Sequence, residues 1–149
     1  MCSVNEKVAC GACCGLYNVA DPSEQNLTKM LHYRTGIFET TPGNWQDNEN
    51  FGRRISEETA EGRPYSQFHH CPYVGLVGSD RSRVGCLLHP KSEGNRGVDF
   101  RGLSYYGRMA CRLYFCPTFN KVPVPSKDLI RRSEKIVDTL IQDMAGLFV

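Results

Sequence analysis

Residues 71–90 read CPYVGLVGSDRSRVGCLLHP. Two apolar runs, Tyr73–Val77 and Val84–Leu88, flank the turn-forming stretch GSDRS at 78–82. That pattern predicts a β-hairpin, because β-branched and aromatic residues suit extended backbone while Gly, Ser and Asp suit the reversal. The two arms carry Cys71 and Cys86. With the turn centred near Asp80–Arg81, Cys86 falls opposite about Gly75, and Cys71 comes near His89. His69, His70 and His89 gather around the same hairpin. Each histidine alone reads as a surface or structural residue rather than as a ligand.

Helices are expected on both sides of the hairpin. Upstream, DPSEQNLTKMLHYR at 21–34 opens one, with Asp21 as N-cap, Pro22 at the first helical position and Glu24 in capping-box register. Leu27, Met30, Leu31 and Phe38 share a face if the helix continues that far, and Gly36 leaves its end open. Residues 40–66 are polar and rich in turn formers, and read mostly as loop with a short helix near Ile55–Ala60. The Arg53–Arg54 pair reads as solvated surface.

Downstream, KSEGNRGVDFRG at 91–102 is a polar loop and LSYYGRMACRLYF at 103–115 is helical despite Gly107. After the proline-broken NKVPVPS, residues 126–148 form the clearest amphipathic pattern of the chain. Ser126 caps it. Leu129, Ile136, Val137, Leu140, Ile141, Met144 and Leu147 lie within about 140° of arc at a helical period. That face docks on the core of a monomer or, alternatively, makes a dimer through the C-terminal helix. The fold class expected is α+β, mainly α-helical: one small domain over residues 1–149, with a β-hairpin and a cysteine-ligated metal centre.

Composition supports a globular chain. Hydrophobic residues are 40% and charged residues 23%, enough for one modest core. The 18 Lys and Arg nearly balance 16 Asp and Glu, so no nucleic acid or acidic membrane surface is called for. No apolar run approaches the roughly 20 residues that span a bilayer. The start, MCSVNEKVACGACC, has no apolar segment behind a basic one, so a secretory signal is not expected and the cytoplasm is the expected location.

In that reducing compartment the 8 cysteines read as metal ligands rather than disulfides. Thiolates are soft ligands that suit zinc and iron–sulfur clusters. Cys10-Gly-Ala-Cys13 places two thiolates at a spacing that can face one metal, with Gly11 and Gly15 easing the turn. Cys14 is adjacent to Cys13, and neighbouring side chains diverge. The two therefore share one metal only in unusual geometry, or serve a multi-metal cluster, or serve two sites. Pro117 disfavours helix at Cys116, so the chain can turn Cys116 back toward Cys111. Motifs for haem attachment, zinc ribbons, nucleotide-binding loops and the hydrolase nucleophile elbow are absent.

The ordered set CGACC (10–14), CPYVG (71–75), GCLLHP (85–90) and CRLYFCP (111–117) resembles the CxxCxxCC family of zinc- or iron-chelating bacterial proteins, as a divergent branch. The resemblance implies a metal-binding set of Cys10, Cys13, Cys14, Cys71, Cys86, Cys111 and Cys116. Here LLHP stands where the family often shows an aromatic and Arg-Pro, and the gap from Cys86 to Cys111 is long. Seven thiols exceed the four that one zinc takes. The expected cofactor is therefore an iron–sulfur cluster, [4Fe–4S], with zinc as the alternative. The expected function is metal binding in an electron-transfer or accessory role with an unknown protein partner. A structural zinc interaction module and a small metalloenzyme are the rivals. Cys2 stays outside the set.

Overall fold

The computed structural model describes residues 2–3, 9–113, 121–126 and 128. Strand β1 (Cys2–Ser3) pairs antiparallel with β2 (Ala9–Cys10). A 3₁₀ turn over Ala12–Cys14 follows. Helices α1 (Glu24–Glu39) and α2 (Trp45–Glu58) precede the hairpin of β3 (Val74–Val77) and β4 (Arg83–Cys86). A second 3₁₀ turn (Arg101–Leu103) leads to the short helix α3 (Gly107–Leu113). This is the expected α+β class with a central hairpin.

The start of α1 lies later than expected. Ser23, not Asp21, is the N-cap, accepting from Asn26 N at 3.4 Å. Asp21 instead accepts from the Ser23 amide at 2.9 Å and steadies the cap from outside. The helix then runs through Gly36 to Glu39. Leu27, Leu31 and Phe38 are buried on one face, and Met30 packs at its edge.

A full helix, α2, replaces the expected loop. Asn44 is the cap, with its Oδ1 accepting from Asp47 N at 2.9 Å. Buried Asn48, Phe51, Gly52 and Ile55 recur at helical spacing, a narrow stripe on an otherwise polar segment. Gly52 is required because the Tyr73 ring occupies the space a Cβ would take. Phe51 meets Phe38 edge-on at 5.1 Å and Tyr73 at 6.0 Å, which joins α1, α2 and the strand. Arg53 and Arg54 face solvent, Arg54 bonding Glu58 at 2.8 Å.

The hairpin forms where expected, one residue out of the expected register. Cys86 pairs with Val74 rather than Gly75. Residues 78–82 make an odd-numbered loop centred on Asp80, with Gly78 at φ 93° and Arg81 at φ 51°. Helix α1 lies against β3. The core is formed by Leu27, Leu31 and Phe38 of α1, Phe51 and Ile55 of α2, Val74 and Leu76 of β3, and Leu87, Leu88 and Phe100 beyond the hairpin. The polar loop after it is pinned by Asn95, whose Nδ2 donates to Leu87 O at 2.7 Å and His89 O at 2.8 Å.

The expected helix of 126–146, and with it any dimer made through it, lies almost wholly outside the described residues. Among the described residues no helix is long and apolar enough to cross a membrane.

Candidate metal centre

The CGACCG stretch folds as a tight knuckle. Gly11 O accepts from Cys14 N at 3.1 Å and Leu16 N at 3.3 Å, and Gly15 closes the turn at φ 71°. Gly15 also permits a close crossing, since residues 69 and 70 pass it so tightly that a Cβ would meet their backbone. The Cys71 amide then donates to Cys14 O at 2.8 Å, which brings the hairpin's first cysteine to the knuckle. Fully buried Asn18 ties the same two segments. Its Nδ2 donates to Tyr65 O and Phe68 O, both at 2.9 Å, and its Oδ1 accepts from Tyr65 N at 3.1 Å.

Cys86 arrives at the end of β4, and β2 with Cys10 in its backbone lies against that strand. Cys111 comes from α3. Its Sγ contacts Ser104 Oγ at 3.0 Å, and its carbonyl accepts from Arg101 Nη1 at 3.3 Å. Arg101 is itself held by both oxygens of Asp99 at 2.8 Å, and that fork keeps the Asp99 carboxyl well below the usual carboxylate range.

Four thiols, Cys14, Cys71, Cys86 and Cys111, thus come within electrostatic reach of one another from four separate segments. None of the four is in a disulfide. Burial pushes the Cys14 thiol up to about 12, with Cys86, Cys111 and Cys13 adding to it. Burial likewise raises Cys71, with Cys14, Cys86 and Cys111 contributing, and raises Cys86, with Cys111 contributing. Without a cation the Cys14, Cys71 and Cys86 sulfurs stay protonated at neutral pH. A soft metal ion is the species that would deprotonate such a group. Among the described residues no three Cys, His, Asp or Glu side chains are gathered as a metal site.

Of the seven cysteines expected to act together, Cys14, Cys71, Cys86 and Cys111 lie within electrostatic reach of one another without being gathered into a metal site among the described residues. Cys13 is exposed while Cys14 is partly buried, and Cys13 lies within electrostatic reach of Cys14, Tyr17 and Tyr106. The side chain of Cys10 and all of Cys116 lie outside the described residues. The histidines have structural roles. His70 is buried, with Nδ1 donating to Gly15 O and Nε2 accepting from Arg34, each at 2.7 Å. Burial, then the Arg34 charge, lower its pKa to about 4. His69 stacks on Tyr105 at 4.6 Å. His89 Nδ1 accepts from Lys91 N at 3.1 Å rather than serving Cys71, whose amide is taken by Cys14.

Sequence reasoning missed Arg34, Arg101 and Ser104. Arg34 carried a readable signal: it falls in the buried stripe Leu27, Leu31, Arg34, Phe38 of α1. Comparison with family models, with curated proteins and with solved structures returns no match for this chain.

Proposed function

We propose that this protein binds a metal through cysteine thiolates and holds an iron–sulfur cluster, with Cys14, Cys71, Cys86 and Cys111 as its ligands and an electron-transfer or accessory role. The supporting observation is that these four thiols, from the knuckle, the segment before β3, the end of β4 and α3, lie within electrostatic reach of one another. Desolvated sulfurs from distant segments give a chain little by themselves, whereas a soft cation turns each into a strong ligand. The chain carries 8 cysteines, more than a single zinc uses. Met109 and Leu113 of α3, the helix that carries Cys111, are 70% and 66% exposed and offer an apolar face on which an electron-transfer partner could dock.

A zinc site is the second reading. It rests on the count of these described thiols, which matches the tetrahedral requirement of one zinc.

The test is anaerobic purification followed by iron, sulfide and zinc analysis and a visible spectrum. A brown protein with iron and sulfide in equal amounts supports the cluster. A colourless protein with one zinc supports the second reading. Protein that contains neither metal, and takes up neither on anaerobic reconstitution, sinks both.

A further inference from the structure

We infer that the exposed rings of Tyr105 and Tyr106, packed on His69, form a stacking platform for single-stranded nucleic acid, with Arg63 and Arg112 as cations for its phosphates. The inference stands apart from the metal-binding reading and does not depend on it.

Tyr105 lies flat on His69, with ring centres 4.6 Å apart and planes 19° apart. It is nonetheless 76% exposed, more than any other large apolar or aromatic side chain among the described residues. One face of the ring is held by the histidine and the other is open to solvent. Tyr106 stands edge-on to both rings, 5.2 Å from each. The stack is thus fixed from two directions before anything binds, so a planar group that joins it orders little protein. The aromatic surface continues through Tyr17, which lies within electrostatic reach of Tyr106 and of Tyr65, and Tyr65 packs on Phe68 at 5.6 Å.

Charge decides what such a surface takes. The chain as a whole is nearly neutral, which gives no reason to expect nucleic acid, but its charge is unevenly spread. Residues 100–127 hold Arg101, Arg108, Arg112, Lys121 and Lys127 and no Asp or Glu. Arg101 is matched by Asp99, whereas Arg112, two turns beyond the stack on α3, is exposed, as is Lys121. On the other side of the stack the Arg63 charge acts on the His69 ring. An apolar partner has no use for these cations. A single strand has unpaired bases for the open face of Tyr105 and phosphates for the arginines, and stacking tolerates any base because each has a π face. A duplex keeps its bases stacked on one another and offers mainly its phosphates.

The test is fluorescence anisotropy of a labelled oligouridylate of about 12 nucleotides, an ordinary site length. It is titrated with the full chain under reducing conditions at about 50 mM and about 200 mM salt. Wild-type protein is expected to bind, and to bind more weakly at the higher salt. Tyr105→Ala is expected to bind about 5–150-fold more weakly, the loss of one stacking ring. Tyr105→Trp should stay within about threefold of wild type. Arg63→Gln should flatten the salt dependence by about 0.7 in log–log slope, the share of one phosphate in a single strand. Tyr33→Ala, which removes another exposed tyrosine, one that bonds Glu58 instead, should change nothing. Should Tyr105→Ala melt below wild type, Tyr105→Leu decides in its place, since it keeps apolar cover over His69 and removes the π face.

An oligouridylate that does not bind at the lower salt overturns the inference and leaves these rings to a protein partner. Binding by Tyr105→Ala equal to that of wild type also overturns it. So does a polyglutamate peptide that competes as well as the oligonucleotide, which marks attraction between bulk charges, and so does a duplex of the same length bound as tightly. None of these outcomes involves a metal, so none of them decides the metal-binding reading.

Discussion

Thr35 of α1 caps the open edge of β3 at Leu76: its Oγ1 accepts from Leu76 N at 2.7 Å and donates to Leu76 O at 3.2 Å. One hydroxyl thus satisfies both backbone groups on the side of the strand that β4 leaves unpaired. A two-stranded hairpin is marginal alone and needs such cover. Thr35→Val keeps the shape and orphans both groups. It is expected to cost about 1–3 kcal/mol for each group left without a partner. Thr35→Ser should recover most of that loss, and urea unfolding of the two variants checks both values.

Two glycines on facing elements should respond in opposite directions. A Cβ at Gly36 would meet nothing within 4 Å. Gly36→Ala is therefore expected to stabilise the protein by about 0.5–1 kcal/mol, the helix-propensity difference. A Cβ at Gly75 would stand 2.7 Å from Thr35 Oγ1 and 2.9 Å from the Leu87 methyls. Gly75→Ala should push α1 off the hairpin and cost about 1–3 kcal/mol. Thermal melting of the pair is the measurement, and equal shifts would mean that α1 does not press on β3 as described.

Acid should weaken the metal-free protein through His70. Its folded pKa of about 4 lies below the ordinary 6.5, chiefly through burial and then through Arg34. The unfolded chain therefore binds a proton below 6.5 that the native state refuses until about 4. Stability is full above 6.5, declines through that window and levels off beneath it. The total loss is about 3 kcal/mol at about 1.4 kcal/mol per pH unit. His70→Gln keeps an acceptor toward Arg34 and a donor toward Gly15 and should flatten the profile. Denaturant midpoints from pH 7 to pH 4 read the slope.

Single cysteine replacements should divide the set. Ser at Cys14, Cys71, Cys86 or Cys111 is expected to lower metal content severely, since each removes one of four candidate donors. Cys13→Ser should retain metal, because that side chain is exposed. Elemental analysis of anaerobically purified variants gives the comparison, and loss at Cys13 equal to loss at Cys71 would enlarge the ligand set.

The hairpin and α1 were legible because their patterns are dense: alternating apolar runs around GSDRS, and Leu27, Leu31 and Phe38 at helical spacing. Helix α2 was not legible, because it buries only Asn48, Phe51, Gly52 and Ile55 and its remaining residues are polar. Its N-terminal signal, Asn44 three before Asp47, was lost among turn-forming residues. The register slip at Cys86 came from the loop, whose left-handed Arg81 no residue-type rule anticipates. For the centre, the spacing of Cys13 and Cys14 told that they diverge, but only the crossing of residues 69–71 over Gly15 told which one turns inward. Arg34 went unread because a lone cation in an apolar stripe is usually taken for a solvated edge.

The Asn18 tie divides the thiol cluster into a fixed half and a yielding half. Three side-chain hydrogen bonds, with the Cys71–Cys14 backbone bond beside them, make the knuckle and residues 65–71 one rigid body. Cys111 instead hangs on a helix of 7 residues that begins at a left-handed glycine. Local opening follows the weaker attachment. The α3 side, with Cys111, is therefore expected to open before the knuckle that carries Cys14 does.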